Sequence, residues 1–196
     1  MRKVDPDKYQ AKLHQILEAA VVCFAEKGFR GTSTNQICSA AGMSPGNLFH
    51  YFPSKQAIIE AIAEEDRREM SERFAQLAAE PDAIVAIERL VNSLLLQCAD
   101  PVYAKIGVEV VAESMRNPEI ATLFAASEAA IKNDLVALLQ RGIVQGQIDA
   151  TLEPKFAATW LIALIDGAVT RSVLDPDFEL STYTPTLMRM IRRFLE

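Results

Sequence analysis

The 196-residue sequence is poor in the residues that mark several protein classes. It has three cysteines, Cys23, Cys38 and Cys98, an odd number with no C-x-x-C pair, which argues against a disulfide framework and suits a reducing compartment. Two histidines, His14 and His50, leave little for histidine-based metal sites or triads, and no metal or cofactor is expected. Eight glycines and nine prolines are too few for collagen or low-complexity sequence. No G-x-S-x-G, P-loop, strand-borne G-x-G-x-x-G or H-E-x-x-H is present, and Glu64-Glu65 beside Arg67-Arg68 reads as a solvated helix face, so no catalytic residue is expected. The longest unbroken apolar block, Trp160 to Ile165, stops at Asp166, well short of a membrane span, and the first five residues lack the apolar run of a signal peptide. A soluble, cytoplasmic, globular protein is expected.

What is present is an apolar half (50%) and 23% charge, unevenly placed. Residues 1–55 carry seven Lys/Arg against four Asp/Glu, a net of +3, while the remainder nets −9. A basic head on an acidic body suits a polyanion partner at one end only.

The periodicity is helical throughout. Tyr9, Leu13, Ile16, Leu17, Ala20 and Phe24 form one stripe, with Asp5 or Asp7 to cap its start and Gly28 to end it. Ser33 and Gln36 have the spacing of a capping box for a short second helix, whose inner face is Ile37, Cys38 and Ala41 and which Gly42 breaks. Ser44 and Pro45 open a third helix that runs through Phe52 to Pro53, and Ser54 caps a long fourth from Lys55 to about Leu77. Further on, Pro81-Asp82, Asp100-Pro101, Asn117-Pro118, Glu153-Pro154 and Asp175-Pro176 each mark a place where a helix can start. No strand alternation or hairpin turn competes. The expectation is an all-α protein of about nine helices, divided into residues 1–55 and residues 56–196.

The first three helices, with a tight Ala41-Gly42-Met43 turn, have the order of a helix-turn-helix, whose second helix enters the DNA major groove. Leu48 and Phe52 can anchor the third helix on Ile16, Leu17 and Phe24, leaving Pro45, Gly46, Asn47, Phe49 and His50 on the opposite face. Gly46 inside a helix costs about 1 kcal/mol against Ala, a cost that close approach to nucleic acid would explain. Asn47 offers the donor–acceptor pair that suits adenine. The helix start at Ser44 and the hydroxyls of Thr32, Ser33 and Thr34 suit phosphates, and Lys55 adds a charge on that side.

The run Phe24-x3-Gly28-x3-Thr32-Ser33, then Ile37-x3-Ala41-Gly42-Met43-Ser44-Pro45-Gly46-Asn47-Leu48-Phe49-His50-Tyr51-Phe52-Pro53-Ser54-Lys55, resembles the TetR family of one-component transcriptional regulators over roughly residues 10–62. Met43 stands where the family usually has Val. Phe49 stands where it usually has Tyr and so lacks a phenolic hydroxyl for a phosphate. The resemblance implies that Thr34 and Asn35 touch phosphate or base, that Pro45, Gly46 and Asn47 face the major groove, that His50 and Tyr51 lie along the backbone, and that Ser44 and Lys55 contact phosphate.

It further implies a body that dimerises and binds a small-molecule effector. Residues 155–173 are apolar almost all round, which predicts burial on more than one side. With a last helix at about 184–195 they look like the family's four-helix dimer interface, through Ala163, Gly167, Arg171, Leu187, Ile191 and Phe194. Phe74, Tyr103, Met115, Phe124 and Trp160 are the large side chains available to a ligand pocket. Glu109 and Glu113 share a helix face that reads as solvated surface or a seat for a cation. The implied function is a homodimeric repressor of a palindromic operator on double-stranded DNA, released by an inducer. An activator or dual regulator, or a helical interaction protein without DNA binding, are the alternatives.

Overall fold

The computed structural model describes residues 6–196, which form nine helices and no strand. In order they are α1 Pro6–Gly31, α2 Thr34–Ala40, α3 Pro45–Tyr51, α4 Lys55–Leu77, α5 Ala83–Cys98, α6 Pro101–Ser114, α7 Pro118–Val144, α8 Pro154–Leu174 and α9 Leu180–Leu195. Asp5, one of the two caps expected for α1, lies outside the described residues.

The sequence punctuation works locally as the chemistry requires. Ser33 and Gln36 form a complete capping box on α2, and the Ser44 hydroxyl accepts from the Asn47 amide at the start of α3. Ser54 Oγ accepts from the Ala57 amide at the start of α4, and Asp82 caps α5 through the Ile84 and Val85 amides. Glu153 does the same for α8 through Phe156. The one displaced start is α9. Asp175-Pro176 leads into a turn, and the helix begins at Leu180, four residues before the expected position, with Pro185 accommodated inside it.

The chain forms two compact units. One runs to Asp66 and adds Lys105–Leu123; the other joins Arg67–Ala104 to Phe124–Glu196. Within the first, α1 packs on α2 and α2 on α3, with Ile16, Phe24, Ile37 and Leu48 fully buried. Within the second, α5, α8 and α9 pack on one another around Leu95, Leu161, Ile191 and Leu195.

α8 departs from expectation in two ways. Its 21 residues make it the one helix, among those described, long and apolar enough to cross a membrane by length and composition. The sequence reading required an unbroken apolar run and so passed over a helix that tolerates Asp166 and Arg171. Nor is α8 buried on several sides within its own chain: Phe156, Trp160 and Leu174 are 71%, 64% and 61% exposed. An apolar face left bare in one protomer calls for a partner.

Candidate nucleic-acid interface

The helix-turn-helix is built from its turns. Gly42 (φ 62°) ends α2 in a Schellman turn, the Met43 amide donating to the Cys38 carbonyl at 2.9 Å. Gln15 Nε2 ties α1 to that turn by donating to the Ala41 carbonyl at 2.8 Å. The turn fixes the exit direction of the chain, and α3 starts two residues later.

α3 turns Leu48 (fully buried) inward, with Phe52, 7% exposed, just beyond its last turn. Its other face carries Pro45, Gly46, Asn47, Phe49 and His50, all exposed. The Asn47 carboxamide makes no hydrogen bond within the described residues, so both its donor and its acceptor point to solvent. A β-carbon built at Gly46 would meet no other atom within 4 Å. The protein's own packing therefore does not demand glycine there, although it costs α3 stability. His50 meets Tyr51 edge-on at 5.4 Å, and Tyr51 packs on Tyr9 at 5.0 Å, which holds the C-terminal end of α3 against α1. Ser33, Asn35 and Ser44 are exposed and Thr34 is half-buried, around the starts of α2 and α3.

Two expected phosphate ligands have other partners. Thr32 is 2% exposed, and its hydroxyl proton lies between the Cys23 and Gly28 carbonyls, each at 2.9 Å. Burial removes it from the phosphate-facing set. The half-buried Lys55 directs its ammonium back into the head, donating to the Phe29 carbonyl at 2.7 Å and the Thr32 carbonyl at 2.9 Å. It closes the frayed end of α1 onto the start of α4.

That α1 terminus is a joint the sequence did not disclose. Helix geometry breaks at Gly28, whose φ of 72° and ψ of 166° lie in a region essentially reserved for glycine. The break frees the Phe29 amide, which donates to Glu109 Oε1 of α6 at 2.8 Å. One turn along α6, Glu113 accepts from Arg30 Nε at 3.0 Å and lies 3.5 Å from Arg116 Nε. Hydrogen bonding from Arg30 holds the Glu113 carboxyl below the usual range, against the opposing effect of burial. The two carboxylates read as solvated surface or a cation seat are instead a bracket on α1. Their i, i+4 spacing was legible; their partner 80 residues away was not.

In the second unit, the structure places the expected ligand and interface residues differently. An open groove of about 610 Å³ lies between α8 and α9 over Leu95, and Ala163, Gly167, Arg171 and Leu187 line it. None of Phe74, Tyr103, Met115, Phe124 and Trp160 does. Phe74 and Phe124 are half-buried, whereas Tyr103 (45%), Trp160 (64%) and Met115 (84%) are exposed. Of the expected interface residues, Phe194 is half-buried, and Ile191 is fully buried inside its own chain, so Ile191 is core. Cys23 and Cys38 are buried and Cys98 is half-buried; burial raises the thiol pKa of Cys23 and of Cys98, the behaviour of packing residues.

Comparison with known proteins agrees with this architecture. Residues 16–62 match the family described as bacterial regulatory proteins, tetR family, and residues 86–196 match the BetI-type transcriptional repressor C-terminal domain. The HTH-type transcriptional regulator UidR of Escherichia coli (strain K12) is 29% identical over 156 residues, covering 79% of this chain and 78% of UidR. The HTH-type transcriptional repressor AcnR of Corynebacterium glutamicum is 25% identical over 168 residues, 84% of each protein. Among solved structures, Salmonella enterica GusR superposes with a TM-score of 0.77 at 33% identity, over 94% of this chain and 95% of that one. With a helix-turn-helix head and a BetI-type helical body, the chain belongs to the TetR family of DNA-binding transcriptional regulators, a family of regulators and not of enzymes.

Proposed function

We propose that the protein acts in the cytoplasm as a homodimeric repressor that occupies a palindromic operator and leaves it when a small-molecule effector binds. The observation that carries this reading is the outer face of α3, where Asn47 keeps an unused carboxamide beside a helical glycine that the protein itself does not need. A flat helix start with a free donor and acceptor suits a major-groove floor. Pro45, Phe49 and His50 share that face, Ser33, Thr34, Asn35 and Ser44 supply short polar groups for flanking phosphates, and Tyr51 steadies the helix on α1.

One recognition helix reads only a few base pairs, so the specificity a regulator needs comes from two heads on a two-fold site. The bare face of α8, with Ala163, Gly167 and Arg171, together with Leu187 and Phe194 of α9, is the dimer surface in this reading. The effector is held inside the Arg67–Ala104 and Phe124–Glu196 unit, near the half-buried Phe74 and Phe124. Buried Arg73 Nη1 and Ser127 Oγ, neighbours of those rings in sequence, have no hydrogen-bond partner within the described residues. Each such orphan costs about 1–3 kcal/mol, which a polar ligand group would relieve. Because α4 runs from the head unit into the other, an effector that favours one pose of α4 changes the separation of the two heads, which must be about 34–36 Å to enter successive major grooves. Release follows only from the effector's differential affinity for the non-binding pose.

Expression of the protein against a reporter whose promoter overlaps the bound duplex tests the reading. Lowered output is expected, and unchanged or raised output overturns repression.

A further inference from the structure

The uncovered face of α8 has a regular spacing. Phe156, Trp160, Ala163, Gly167, Thr170 and Leu174 follow at steps of four, three, four, three and four residues, the spacing of a helix–helix seam. On that spacing Asp166 and Arg171 fall on opposite flanks of the seam, in the positions where paired helices carry their interhelical ion pairs. Both residues line the groove beside α9, Asp166 as its one acid and Arg171 as its one base. Neither has an ion pair or side-chain hydrogen bond within the described residues. The Asp166 carboxyl is already pushed upward by burial and by the charge of Glu128.

Any purely apolar cover would strip both side chains of water and return nothing, and an uncompensated buried charge is strongly destabilising. A second copy of the same chain avoids this. In a two-fold contact, residue i that meets residue j is matched by j meeting i, so one acid and one base on the same helix give two cross-pairs. We propose that Asp166 of each protomer pairs with the partner's Arg171, and that this reciprocal pair fixes the register and partner choice of the dimer while the apolar seam supplies adhesion. This rests on the reading of the α8 face as the dimer surface.

Sedimentation equilibrium on the full chain tests it with D166R, R171D, their equimolar mixture, the double variant D166R/R171D, and W160E. Each charge reversal alone places like charges across the seam and weakens dimerisation by on the order of 100-fold. Mixing the two single variants restores a tight heterodimer, because every cross-pair is again opposite in sign, and the double variant dimerises with itself. Recovery on mixing also shows that each single variant is folded. Single variants that dimerise like the parent, or a mixture that stays monomeric, overturn the pair. W160E separates the two failures. If it dissociates the dimer while the charge reversals do not, the surface stands and the pair falls; if it remains dimeric, the surface reading falls with the pair.

Discussion

Lys55 is the residue at which family resemblance and structure make different demands. Its ammonium donates to the Phe29 and Thr32 carbonyls at 2.7 and 2.9 Å, bridging the end of α1 to the start of α4. Lys55→Met keeps most of the aliphatic stem and deletes both bonds. A hydrogen bond from a charged group contributes about 1.5–3 kcal/mol, but the freed carbonyls regain water at this half-buried site, so the net loss for the pair is about 2–3 kcal/mol. Native-state amide exchange at Ile37 in α2 reads that loss directly. At tenfold per 1.4 kcal/mol, opening of the head becomes roughly 30- to 150-fold more frequent. The salt dependence of DNA affinity, measured on folded protein, keeps its slope, because a strut neutralises no phosphate. The opposite pattern refutes the reasoning: unchanged exchange with a slope flattened by about one unit means that Lys55 is a phosphate ligand.

Three further outcomes follow from the same geometry. Asn47→Ala weakens specific operator binding by about 1–3 kcal/mol and leaves the salt slope and non-specific affinity unchanged, as competition binding on matched and scrambled duplexes will show. Gly46→Ala stabilises the head by up to about 1 kcal/mol in denaturant unfolding, since a β-carbon there has open space, yet lowers DNA affinity. Greater affinity in the alanine variant would mean that no close approach occurs at this position. Glu113 titrates below its ordinary value of 4.5 because Arg30 hydrogen-bonds to it, so its contribution is complete above that value and is lost as pH falls through the depressed folded pKa. Acid unfolding of Glu113→Gln therefore loses this component, and an unaltered acid limb would show that the Arg30–Glu113 pair is not formed in solution.

Local chemistry made the fold legible. Caps, helix-opening prolines and 3.6-residue stripes act within a few residues of chain, and Ser33, Ser44, Ser54, Asp82 and Glu153 all mark helix starts by such short-range bonds. The reading helix was legible for the same reason, since Ser44 to Tyr51 is a single cap-and-face pattern. What failed to show depends on distant partners. Nothing near Glu109 or Glu113 announces that Phe29 and Arg30 will meet them, and nothing near Thr32 or Lys55 says that their polar atoms will be taken by carbonyls. The α8 helix shows the limit of composition. Apolar residues all round a helix are equally compatible with a core and with a face awaiting a second chain, and only the exposure of Trp160 and Leu174 favours the latter.

The central claim, a two-headed reader of DNA built on the α3 face, is tested most directly by selecting bound sequences from random duplexes at two salt concentrations. The account predicts enrichment of one palindrome with half-site centres about 10 base pairs apart or a multiple of that, at an affinity that falls steeply with salt. Enrichment of a single asymmetric site, or of no sequence at all, would contradict it.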